Sequence, residues 1–374
     1  GWSIGGIEGT PAVGRVGSAD AVFLSNALPM PDQDTFSDPQ KLTTLHALDA
    51  RTGRERWRFA TGGRLRARPA LVASAVYLPS DDGWLYRLDA ARGTLRWKVR
   101  LLPDSIVRLP IDAPGSKYDF TSSAVATAGG ALVVGTHAGR VLALDPASGE
   151  TLWEAATGGP VLAAPGVAGG QVFAGSFDGR VYALDADDGH VLWTHDTGAP
   201  VTSTPVPEQG VVVVGSRSYD LLGLDAATGE VRWEHYLWYS WIESTARVAG
   251  GVAYVGSSDA ASVFALDPKT GALLWESDDH GLCWGRPAVT ADRVIVAVRA
   301  SPSIEKHEAN LLALDRATGV PVWRYPCERP EGAIHRGFAA SPVVLASRVF
   351  AAGLDGKVYA FELRDPRPGA RRRR

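Results

Sequence analysis

GSFDGRVYALDADDGHVLW, residues Gly175–Trp193, is the stretch whose reading decides the fold. An apolar run, Val172–Gly175, leads into Asp178-Gly179, a dipeptide suited to a tight turn. A second run covers Val181–Leu184. Asp185–Gly189 then supplies another turn, and a third run ends on Trp193. Short apolar runs between Gly- and Asp-rich punctuation predict antiparallel strands.

The same unit recurs along the chain. LHALD (Leu45–Asp49), LYRLD (Leu85–Asp89), VLALD (Val141–Asp145) and VYALD (Val181–Asp185) mark the first four copies. LLGLD (Leu221–Asp225), VFALD (Val263–Asp267), LLALD (Leu311–Asp315) and VYAFE (Val358–Glu362) mark the rest. In the first seven copies a Trp stands eight residues after the Asp: Trp57, Trp97, Trp153, Trp193, Trp233, Trp275 and Trp323. A Gly lies four after each of those Asp, from Gly53 to Gly319. This spacing predicts a hairpin in which Asp caps the turn, Gly takes the φ > 0 position and Trp packs on the returning strand.

An apolar strand precedes each motif, and before it lies a segment that usually holds Pro: Pro11, Pro69, Pro165, Pro205, Pro287 and Pro342. Each unit therefore reads as four strands, A to D. Eight such units predict an all-β, eight-bladed β-propeller with four-stranded antiparallel blades. The eighth unit lacks a D strand, while Trp2 stands ahead of the first A strand without a unit of its own. The N-terminal strand is expected to join the last blade and close the ring, which removes an open sheet edge. Residues 1–363 then form one propeller, and 364–374, ending in Arg371–Arg374, form a basic tail expected to be disordered.

VYALDADDGHVLW (Val181–Trp193) and VFALDPKTGALLW (Val263–Trp275) resemble the consensus of the pyrroloquinoline-quinone (PQQ) repeat superfamily of eight-bladed propellers, over nearly the whole chain. That superfamily includes quinoprotein dehydrogenases, an outer-membrane assembly lipoprotein and sensor domains, so the resemblance implies fold more than function. It is also the only ground for expecting a periplasmic or other extracytoplasmic location. A dehydrogenase would imply a quinone, calcium held by Glu, Asn and Asp, an Asp base and often a disulfide between adjacent cysteines. This chain has no adjacent cysteines, and its two asparagines, Asn26 and Asn310, lie in or beside inserted loops. Neither PQQ nor calcium is expected, nor any other cofactor. The lipid-anchoring Cys of the assembly lipoprotein is absent from these residues.

The composition narrows the partners. The chain is 45% apolar and 21% charged with a net charge of -3, which offers no electrostatic case for nucleic acid. No apolar run is long enough to span a bilayer. Two cysteines exclude a disulfide scaffold. The expected partner is a protein or a small polar ligand, bound by a monomer.

Insertions locate the working surface. Asn26–Lys41, Lys98–Asp119, Arg299–Ala309 and Tyr325–Arg336 lengthen otherwise regular units. In a meander the A–B and C–D turns lie on one face and the B–C and D–A connections on the other. All four insertions fall on the second face, over units 7, 8, 1, 2 and 3, which marks it as the functional one.

The start of strand A, aligned by the Pro position, supplies the channel. Residues three and one before it share a side and are predicted to line the axis: Glu8, Arg66, Glu243 and Trp284 in one row, Thr10, Arg68 and Arg286 in the other. In the third unit, which lacks the Pro, counting places Thr121 and Ser123 in these rows, with Phe120 and Ser122 packing between blades. Arg64, Arg66 and Arg68 alternate along one strand and with Arg286 would suit a carboxylate or phosphate, or would pair with Glu8 and Glu243. The loop HYLWYSW (His235–Trp241) offers Tyr239 and Trp241 to a ring-bearing ligand beside Trp284, or packs them between blades. His280 and His335 would stand near the channel mouth with Arg336, as anion ligands or acid/base groups. Cys283 and Cys327 read as buried thiols; a disulfide between them, or zinc with the two histidines, is the alternative. The leading function is a binding or assembly module that uses this face and mouth. The alternative is a lyase or hydrolase with His280, His335, Glu243 and Tyr239 as catalytic groups.

Overall fold

The computed structural model describes residues 2–3, 9–26, 43–104, 106, 121–237, 240–278, 280–300, 308–327, 336–338 and 340–363. Eight antiparallel four-stranded meanders run in chain order, one for each sequence unit. Blade 4 is typical: strands Gly166–Ala168, Gln171–Gly175, Arg180–Asp185 and Val191–Asp196 pair in succession. Its B and C strands are buried along most of their length, and so read as continuous apolar runs. Strand D is the outer edge and alternates between buried Trp193 and exposed neighbours. In blade 8, strand Lys357–Glu362 pairs with Trp2–Ser3, Trp2 opposite Val358 and Ser3 opposite Lys357. The N-terminal strand thus closes the ring as the fourth strand of the last blade.

The turn chemistry follows the sequence reading. Asp49 Oδ1 accepts the amide of Thr52 at 2.8 Å, and Asp225 Oδ1 accepts that of Ala227 at 2.8 Å. Gly53, Gly189 and Gly229 take φ of 69°, 77° and 76°. The tryptophan differs from expectation. It docks on the next blade, with its indole over that blade's turn glycine. Trp57 Nε1 donates to Ala90 O at 3.0 Å, Trp153 to Ala186 O at 2.9 Å and Trp193 to Ala226 O at 3.0 Å. Trp97, Trp233 and Trp275 do the same toward Pro146, Pro268 and Arg316. Trp323 faces blade 8, which has no such turn. It is 36% exposed, where Trp193 is 9%, and packs edge-on against Phe361. At the junction of blade 8 with blade 1, Arg348 Nη1 takes the equivalent carbonyl, Ala50 O, at 3.1 Å.

A second interlock sits nearer the axis. The apolar residue four before the Pro position packs on the glycine that ends strand B of the preceding blade. A Cβ on Gly215 would lie 2.2 Å from Ile242 Cγ2, so only glycine admits this approach. The small residue two before the Pro position holds the same glycine from within its own blade: Ser203 Oγ accepts the Gly215 amide at 2.9 Å. The same bond, Gly135 N–H to Ser123 Oγ at 2.9 Å, corrects the register of blade 3. Strand Ala126–Ala128 starts one residue later than counting gave. Ser123 therefore packs between blades, and Ser122 and Ala124 take the channel rows in place of Thr121 and Ser123.

Gly229→Ala tests the dock. The new Cβ would meet Trp193 at 2.5 Å from a backbone that disfavours side chains. The left-handed conformation alone costs about 1–2 kcal/mol, and displacing the indole adds to it. A drop of about 2 kcal/mol or more is expected in urea unfolding, whereas Gln209→Ala in an exposed A–B turn should change it little.

Candidate functional site

The first half-turn of each strand A faces the axis. Three residues one before the Pro position carry hydroxyls that accept from backbone amides of the neighbouring blade. Thr245 Oγ1 accepts the Thr204 amide at 3.1 Å, Ser341 Oγ that of Arg286 at 2.8 Å and Thr10 Oγ1 that of Ser341 at 3.2 Å. These bonds leave no unpaired donor on the inner edge at those points. They surround a channel cavity of about 680 Å³, open to solvent and lined by residues of all eight blades. Arg66, Arg68, Glu243 and Arg286 lie in its wall, as the strand alternation predicts. Trp241 and Trp284 do not line it.

The charges sort into pairs that sequence spacing did not indicate. Arg66 Nε donates to Asp81 Oδ2 at 3.1 Å, with both side chains buried. Asp81 comes from the B–C turn of its own blade. Glu243 Oε1 accepts from Arg217 through Nε at 3.0 Å and Nη2 at 2.8 Å. The Arg217 guanidinium lies between two rings, 4.9 Å from the centroid of Trp241 and 5.5 Å from that of Phe177. A flat cation stacked on aromatics and paired with a carboxylate is held in one orientation. Trp284 carries Arg299 over its ring at 4.7 Å, and its Nε1 is buried without a partner among the described residues.

Arg68, Arg247 and Arg286 remain. All three line the cavity, from blades 2, 6 and 7. Burial, then Arg247 and Arg68, bring Arg286 down to about 10. Burial, then Arg247, lower Arg68. Arg286 is half-buried, while Arg68 and Arg247 are open to the water of the channel.

His280 is buried away from the cavity. Arg324 Nη2 approaches its Nδ1 at 3.4 Å, and its Nε2 lies 2.7 Å from Ser277 Oγ. Cys283 is fully buried in an apolar cluster with Tyr254, Val263 and Val296, and burial pushes its thiol up to about 12. Cys327 is buried in a separate cluster, and the two are not joined. Glu8, Tyr239 and His335 lie outside the described residues. Arg336 is described only through its backbone, which pairs with Ala300.

Asp81, Arg217 and Arg247 are the residues that reading missed. The first two occupy one position: the second residue of the B–C turn, in SDDG (Ser80–Gly83) and SRSY (Ser216–Tyr219), where blade 4 has SFDG (Ser176–Gly179). A variable residue inside an otherwise repeated turn was the available signal. Arg247 follows the Pro position, on the side assigned only to strand. The calcium–quinone donor set does not come together here: among the described residues lining the cavity the one carboxylate is Glu243, which Arg217 holds, and there is no Asn.

Ring, repeat and channel together define a PQQ-repeat β-propeller. A family model described as outer membrane protein assembly factor BamB matches residues 12–109, 109–241 and 195–372, and the chain belongs to this family. The assembly factor BamB of Yersinia pestis is 26% identical over 137 residues, which are 37% of this chain and 32% of that protein. The aligned part thus spans about a third of that curated relative. The crystal structure of BamB from Moraxella catarrhalis superposes with a TM-score of 0.66 at 21% identity, covering 94% of this chain and 93% of that one. A quinohemoprotein alcohol dehydrogenase from Pseudomonas putida gives 0.67 at 15%, covering 94% and 70%. At these identities the structural likenesses speak to fold alone. No helix among the described residues is long and apolar enough to cross a membrane.

A double-mutant cycle of Arg217→Ala and Glu243→Ala measures the mouth pair. Each single change strands a partly buried charge, and the coupling read in urea unfolding should be about 1–3 kcal/mol. A coupling below about 0.3 kcal/mol would mean the pair is a solvated surface contact.

Proposed function

We propose that this chain is a binding module for protein assembly, which holds its partner on the face that carries the B–C and D–A loops. One observation carries the reading: the long insertions all join strands at that end of the blades, while the opposite end is built from short turns, the C–D turns of constant length. The C–D turns are locked by the tryptophan docks and have no freedom to vary. The loop face is where side chains are released from the repeat. Phe177, Arg217 and Trp241 stand there half-buried around Glu243. An aromatic and arginine cluster at a mouth is the composition of a protein-binding centre. The family description supports assembly as the class of work. An extracytoplasmic location and a monomeric state accompany the proposal.

The enzyme reading would need Glu243 and His280 to act on one substrate. Glu243 is engaged by Arg217, and His280 by Ser277 and Arg324, away from the cavity. No observation favours that reading over binding.

Photo-crosslinking amino acids tell the faces apart. Placed at Phe177 and Trp241 in the source organism, they should capture the same protein; placed at Gln209 and Thr228 on the opposite face, they should capture none. Equal capture from both faces, or none from the loop face, would contradict the proposal.

A further inference from the structure

We infer that the central channel is a binding site for a small multivalent anion, held by Arg68, Arg247 and Arg286. These three guanidiniums reach one cavity from blades 2, 6 and 7. The other charged pairs at the cavity are internally balanced, Arg66 by Asp81 and Glu243 by Arg217. Among the described residues no carboxylate pairs with any of the three. Arg286 Nε is withdrawn from water without an acceptor among the described residues, and so is the hydroxyl of Thr202, another channel residue. A buried donor without a partner is costly, and three like charges around one cavity repel. Burial first, and then the neighbouring guanidiniums, lower the titration of Arg286 and Arg68. One anion with several negative groups would relieve both penalties at once.

The ligand class follows from geometry and chemistry. Guanidinium forks match carboxylate and phosphate oxygens in pairs, and three of them favour a ligand with more than one such group. A cavity of about 680 Å³ exceeds what a single phosphate fills and lies in the usual range of small-molecule sites. The hydroxyls of Thr204 and Thr245 in the same wall supply polar groups for the ligand's remaining oxygens. The far end of the cavity is apolar, with Val72, Val289 and Val344, which suits a carbon skeleton. The site goes beyond the proposed assembly role, and its test uses the chain alone, so either reading fails without the other.

Isothermal titration at fixed ionic strength tests it, with citrate as the polycarboxylate, inorganic phosphate as the phosphate and acetate as the monovalent control. Citrate or phosphate should bind once per chain, at least tenfold more tightly than acetate, and the stronger of the two names the preferred group. The double variant R68Q/R286Q should weaken that binding at least tenfold, while R180Q on strand C, outside the channel wall, should not. If the double variant fails to fold, R247Q, whose side chain is open to the channel, carries the same test. Binding of citrate and phosphate no tighter than acetate, or unchanged binding in folded R68Q/R286Q or R247Q, would overturn the inference.

Discussion

The structure depends on one repeated contact, the tryptophan of each blade seated on the next blade's C–D turn. The indole N–H donates to the carbonyl after the turn aspartate, and the ring covers the turn glycine. Each such bond contributes on the order of 1 kcal/mol, and the buried ring contributes more. The contact explains two invariances at once. The turn cannot lengthen, because its carbonyl must meet the indole. Its glycine cannot be replaced, because the ring occupies the space of a Cβ. It runs from Trp57 to Trp275, and at the two seams of blade 8 other contacts of the described residues take its place. There Trp323 turns to Phe361 instead, and Arg348 and the N-terminal strand complete the circle.

A scaffold locked on one face and along its seams leaves two places where residue identity is not dictated by the repeat. One is the loop face, with its insertions and the second position of each B–C turn. The other is the axis, where alternate residues of strand A point at one another across water. The mouth ion pairs join these places: Asp81 and Arg217 come from turns, Arg66 and Glu243 from the channel wall. Chemistry that recognises a partner can therefore change without disturbing the interlocks. This division accounts for a fold that is shared by assembly factors and dehydrogenases alike.

Much of this was legible in the residues. The spacing of Asp, Gly and Trp implies eight blades, and the stranded Trp2 implies the closing strand. Strand alternation also places Arg66, Arg68, Glu243 and Arg286 on the axis. What was not legible has a physical reason in each case. Spacing sets a residue's position in its own hairpin but not which blade its side chain meets, so the tryptophan's partner was misplaced. Blade 3 has adjacent serines, Ser122 and Ser123, and no proline; either serine fits a small-residue position, and only the bond to Gly135 decides. The partners of Arg66 and Glu243 come from turns 15 and 26 residues away, whose side chains a strand-by-strand alignment does not compare. Arg247 reaches the channel from a position read as structural only.

The interlocking tryptophans are the claim on which the rest stands, and indole hydrogen exchange addresses it directly. In a two-dimensional NMR spectrum of the protein labelled with ¹⁵N-tryptophan and moved into D₂O, the indole protons of Trp57, Trp97, Trp153, Trp193, Trp233 and Trp275 should exchange only through global unfolding. That of Trp323 should vanish quickly. Loss of those six signals as fast as that of Trp323 would show that the docks do not hold the ring, and would contradict the account.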